Sequence, residues 1–124
     1  MFSLAVVEHS INPRNTTPLV DADATGQAGT PGEGPYMLIS LTWDGERIIA
    51  TSFSTYGCPV VRACGSFVSE WAKGKTMEQV SVLTASDLML VMGGLPLGKE
   101  HCSELSVEAL KDAVARIAMP VSVL

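Results

Sequence analysis

A chain of 124 residues with 47% hydrophobic residues is long and apolar enough for one domain with its own core, which excludes a disordered protein. Eight basic residues against thirteen acidic ones give a net charge of -5, and no Lys/Arg cluster stands out, which argues against nucleic acid as a partner. Residues 1–7 lack a basic leader pattern and no apolar run reaches the roughly 18 residues of a membrane span. The expectation is therefore a cytoplasmic protein without membrane contact. Three cysteines, at 58, 64 and 102, suit reduced thiols or metal ligands better than a disulfide framework.

In chain order, Leu4, Val7 and Ile11 recur at helical spacing, so residues 3–11 are expected to form a short amphipathic helix that docks this face and stops before Pro13. Residues 12–35 are rich in Gly, Thr, Pro and Asp without apolar periodicity and read as one long loop, a candidate wall for a site. Tyr36 to Trp43 then alternates, with Met37, Ile39, Leu41 and Trp43 on one face. Arg47 to Phe53 alternates again through Ile49, Thr51 and Phe53. Asp44-Gly45 between them predicts a hairpin with a type I′ turn, both central residues at positive φ.

Pro59 suits the first position of a helix, along which Val60, Cys64, Phe67 and Trp71 form a stripe up to Lys73, with Gly74 as the C-terminal cap. Thr76 with Gln79 predicts a capping box on a short helix, and Thr84 to Met92 predicts another, closed by Gly93-Gly94. Ser106 is the expected cap of a last helix carrying Val107, Leu110, Val114 and Ile117 until Pro120. The fold class is then α+β, a single domain over residues 1–124, with helices packed on one face of a small antiparallel sheet.

The chemistry concentrates in three places: Glu33 in the long loop, Cys58 at the strand-to-helix turn, and Lys99-Glu100-His101-Cys102-Ser103 in the loop before the last helix. A helix N-terminus near Cys58 and Cys102 favours a thiolate over a thiol, and thiolates are both metal ligands and sulfur nucleophiles. Cys64, on the apolar helical stripe, reads as core packing, and His9 as a surface histidine.

With Asn12-Pro13-Arg14-Asn15, Gly29-Thr30-Pro31, Thr55-Tyr56-Gly57-Cys58-Pro59, Ser69 to Lys75, Leu95-Pro96 and Lys99 to Ser103 in place, the sequence resembles the IscU/NifU-type iron–sulfur cluster assembly scaffolds over nearly its whole length. The resemblance implies a non-enzymatic scaffold on which a [2Fe–2S] cluster is built from iron and from sulfur supplied by a cysteine desulfurase, then passed to acceptors, with zinc bound in the same place. It implies Cys58, His101 and Cys102 as ligands, Cys102 as the sulfur acceptor, Lys99 as the flanking basic residue, and Leu95-Pro96 in the segment that a chaperone reads.

Two departures stand out. Glu33 occupies the place of the family's first cysteine and Pro35 that of its aspartate, and a carboxylate is a harder ligand that shifts preference from iron–sulfur ligation towards zinc or another divalent ion. The chaperone segment reads Leu95-Pro96-Leu97-Gly98-Lys99, without a second proline, which argues against docking of the Hsp70-type partner. Two rivals follow: a binding or regulatory module that has lost assembly, and a thiol sulfurtransferase using Cys102.

Overall fold

The sheet is organised around a hairpin. In β2 (Tyr36–Trp43) the side chains of Met37, Ile39 and Leu41 point to one side and are fully buried, as the alternation requires. β3 (Ile48–Tyr56) pairs with it antiparallel, from Tyr36↔Tyr56 to Trp43↔Ile48. The computed structural model describes residues 3–118.

The turn differs from the expected type I′. Residues 44–47 form a longer connection in which only Gly45 takes a positive φ, 101°. The Asp44 carboxylate accepts the backbone N–H groups of Glu46 and Arg47, so its own side chain closes the turn. Next to it Thr42 faces Ala50 while Trp43 faces Ile48, leaving Ile49 as an extra, bulged residue. The bulge corrects the expected strand face: Ile48 is fully buried and Ile49 is 55% exposed.

A third strand, β1 (Ala24–Ala28), lies inside the stretch expected to be loop and pairs antiparallel with β2, giving the order β1-β2-β3. Its inward residues are Gly26 and Ala28, too small to register as a hydrophobic alternation. Small size is what the packing demands: a Cβ on Gly26 would lie 2.2 Å from the backbone of Ala109 and of Ala113.

The helices cover one face of this sheet, as the α+β reading expects. α2 (Pro59–Ala72) packs on β3, and α5 (Glu100–Ala118) packs on β1, β2 and α2. α3 (Met77–Ser81) and α4 (Ala85–Val91) pack on α5, each opened by a capping box, Thr76 with Gln79 and Thr84 with Asp87. No helix among the described residues is long and apolar enough to cross a membrane.

α1 (Leu4–Ile11) rests on α2, with Ser3 as its N-cap, but with a different face from the one expected. Val6 is its fully buried residue, while Leu4 and Ile11 are 88% and 76% exposed. Polar bonds hold the helix instead: the Ser3 hydroxyl donates to the Met92 carbonyl, and His9 Nδ1 pairs with the Ser66 hydroxyl at 2.7 Å. His9 also meets Phe67 edge-on, so it is a bridge between α1 and α2 and not a surface residue.

Candidate metal centre

Cys58 is placed by a local change of direction. β3 ends at Tyr56, Gly57 takes φ 151°, and Cys58 becomes the N-cap of α2 with Pro59 at the first helical position. The side chain is half-buried at the first turn of α2. Burial opposes its ionisation, but the Val61 and Val60 backbone N–H groups and the Lys99 ammonium outweigh it, so the thiol lies below its ordinary pKa.

Cys102 comes from a different position than expected. The last helix begins at Glu100 and not after Ser106, so His101, Cys102 and Ser103 belong to the first turn of α5. The Lys99 and Cys102 backbone N–H groups donate to the Pro96 and Lys99 carbonyls, so the chain tightens into the helix directly after Gly98. Ser106 sits buried within the helix, its hydroxyl donating back to the Cys102 and Ser103 carbonyls. Cys102 itself is fully buried, and its Sγ lies 3.7 Å from Nε2 of the exposed His101.

That burial overrides the benefit of a helix N-terminus. The Cys102 thiol is pushed up to about 12, first by desolvation, then by the Cys58 thiolate and its hydrogen bond, with Glu100 adding and Lys99 opposing. The two helix-terminal thiols therefore behave oppositely, where the sequence suggested a thiolate at both. Cys64 lies in the core as expected, 0% exposed on α2, and burial followed by the charges of Cys102 and Cys58 pushes it to about 12 as well.

Cys58, Lys99 and Cys102 are thus brought to one place, with His101 beside them, where α2 and α5 begin. Glu33 is exposed in a Gly-rich turn whose backbone N–H bonds to the Thr30 carbonyl at 3.0 Å. Among the described residues no group of three or more His, Cys, Asp or Glu side chains is arranged to hold a metal ion. Leu95 packs against the core, Pro96 is half-buried, and Leu97 next to them is 97% exposed. Two side chains to which the sequence assigns no role, Tyr36 and Tyr56, lie at the end of the hairpin that leads to Cys58. They pair across the last rung of the hairpin with rings stacked at 6.2 Å and 14°. Their signal was position alone, Tyr56 falling two residues before Cys58.

The NifU-like N terminal domain family matches residues 1–121. The chain is 40% identical over 114 residues to an iron-sulfur cluster assembly scaffold protein IscU of Archaeoglobus fulgidus, covering 92% of this chain and 74% of that protein. It is 36% identical over 118 residues to the IscU scaffold protein of Haemophilus influenzae, covering 92% of this chain and 93% of that one. In structure it resembles the N-terminal NifU-like protein of Brucella abortus, with a TM-score of 0.73 at 16% identity over 93% of this chain and 92% of that one. A SUF-system scaffold protein of Fervidobacterium islandicum gives 0.71 at 19% identity, covering 91% and 96%. By the match over residues 1–121 and by these relatives, the chain belongs to the NifU-like N-terminal domain family.

Proposed function

We propose that this protein is an iron–sulfur cluster assembly scaffold whose cargo is held by Cys58 and Cys102, with His101 as a further ligand and Lys99 as the adjoining cation. The observation that carries the reading is the meeting of two thiols, supplied by different helices, beside one lysine. Relatives that share 35–40% of its residues and carry the scaffold name support it. Thiolate and imidazole donors suit iron–sulfur clusters and zinc alike, and the carboxylate of Glu33 completes the set with a harder oxygen ligand. In this reading the protein is a carrier and not an enzyme. It receives sulfur from a cysteine desulfurase at Cys102, hands the cluster to an acceptor protein, and works in the cytoplasm, where unpaired thiols stay reduced.

Anaerobic incubation of the untagged protein with ferrous iron and sulfide tests this. Visible sulfur-to-iron absorption is expected in the wild type and in Cys64→Ala, and is expected to disappear in Cys58→Ala and Cys102→Ala. The reading is refuted if neither iron nor zinc binds to the wild type and none binds after Glu33→Cys.

A further inference from the structure

We propose that the hollow between α3 and α5 binds a short aliphatic carboxylate, its chain against Val80 and Val114 and its head group on the Lys111 ammonium. Lys111 lies nine residues after Cys102 on α5, about 13 Å along the helix axis, so this site is separate from the thiols and does not rest on the cargo they hold.

The hollow follows from how the two helices meet. α3 has only five residues and lines it with Met77, Val80 and Ser81. α5 lines the other side with Lys111, Val114 and Ala115, which share one stripe of the helix at i, i+3 and i+4. Val80 is fully buried and Val114 is 8% exposed, so the floor is apolar. Ala115, on the exposed side, contributes only a methyl group where a longer side chain would close the space. The remaining volume is about 280 Å³, close to the lower limit of roughly 300 Å³ for small-molecule pockets, which restricts a ligand to a short chain.

The rim carries one unmatched charge. None of the lining residues is acidic, and Lys111 is the single cation among them. Among the described residues the ion pairs engage Arg14, Lys73 and Arg116, and no carboxylate lies within 4.0 Å of the Lys111 ammonium. Asp112, next to it in sequence, is turned to the Gln27 backbone N–H and to Arg116. The Ser81 hydroxyl donates to the Glu78 carbonyl at 2.7 Å, so Lys111 is the remaining side-chain donor at the rim. It is half-buried, as befits a lysine whose stem follows apolar surface while its ammonium stays at the edge. One lysine without an arginine fork beside it suits a singly charged head group better than a phosphate. An apolar hollow with one cation at its mouth is complementary to an aliphatic chain that ends in a carboxylate.

Titration of the full chain with sodium hexanoate near neutral pH, followed by two-dimensional NMR, tests the site. Saturable shifts are expected, confined to the signals of Met77 to Ser81 and Lys111 to Ala115. From butyrate to hexanoate each added CH₂ should tighten binding by about fourfold, as burial of a methylene does. Lys111→Gln should weaken hexanoate at least about 10-fold, Lys111→Arg should restore it, and hexanol should bind wild type and Lys111→Gln equally weakly. Ala115→Leu, which fills the hollow, should abolish binding with the thermal midpoint at or above that of wild type. Shifts that never saturate, or wild-type affinity in Lys111→Gln or in Ala115→Leu, would overturn the proposal. It is also wrong if an acetylated Val-Leu dipeptide with a free carboxylate binds and hexanoate does not, because the occupant is then the C-terminus of another protein.

Discussion

The opposed behaviour of Cys58 and Cys102 is measurable as a difference in alkylation rate. A thiol at the ordinary 9.0 is about 1% ionised at pH 7, and one at about 12 is ionised about a thousandfold less. Cys58 lies below the first value and Cys102 at the second. The more basic thiolate is the stronger nucleophile, and a Brønsted slope of about 0.4–0.5 over about three pKa units returns roughly 20-fold to Cys102. Cys58 should therefore react at least about 50-fold faster, before the full burial of Cys102 is counted. The assay is limiting iodoacetamide on the native, metal-free protein, quenched at intervals and read by peptide mass spectrometry, with Cys64 as an internal slow reference. Because the Cys58 charge is the second cause of the Cys102 shift, Cys58→Ser should also speed labelling at Cys102. Equal rates at Cys58 and Cys102 in the wild type would refute the electrostatic description of the centre. Under the proposed function, Cys102 could accept sulfur only once this thiol is uncovered and has lost its proton.

Two further outcomes follow from the packing around the centre. Gly26→Ala forces β1 and the backbone of α5 apart by about 1 Å, an overpacking that costs at the upper end of about 1–3 kcal/mol and should lower the thermal midpoint by about 10 °C; a shift under about 2 °C would show that the strand and helix separate freely. His9 is held below its ordinary 6.5, first by burial and then by Arg14, against the opposing charges of Glu8 and Glu70. A histidine whose folded pKa is depressed favours its neutral form, so its contribution is complete above about pH 6.5 and declines as pH falls through the folded value. Thermal midpoints at about pH 7.5 and about pH 5 should differ more in wild type than in His9→Gln, and an identical difference in both would exclude His9.

The parts of the fold that were legible in the sequence are those fixed by local chemistry. Met37, Ile39 and Leu41 alternate because one sheet face is covered, Pro59 and Gly74 mark the ends of α2, and Thr76 and Thr84 cap the helices they precede. What was not legible depends on distant partners. β1 is hidden because its inward residues must be small where α5 crosses, so the strand carries no hydrophobic period. The docked face of α1 is not legible in its apolar stripe because polar anchors, His9 on Ser66 and Ser3 on Met92, hold the helix. The start of α5 is not legible because Ser106 has the chemistry of a cap, and only the folded helix shows its hydroxyl turned back on the Cys102 and Ser103 carbonyls. At the centre the cysteines and Lys99 were readable as motifs. The raised pKa of Cys102 was not, since burial is a property of the assembled helices and the sheet.

Asp112 on α5 accepts the backbone N–H of Gln27 at 2.9 Å, on the side of β1 that faces away from β2. The helix that delivers Cys102 is therefore also the element that blocks an otherwise open sheet margin, and an unblocked margin is a template for pairing with another chain. Damage to the seat of α5 would consequently surface first as intermolecular strand pairing and precipitation. A variant altered there can be mistaken for one that has lost a ligand, and solubility has to be measured before any loss of cargo is assigned to the thiols.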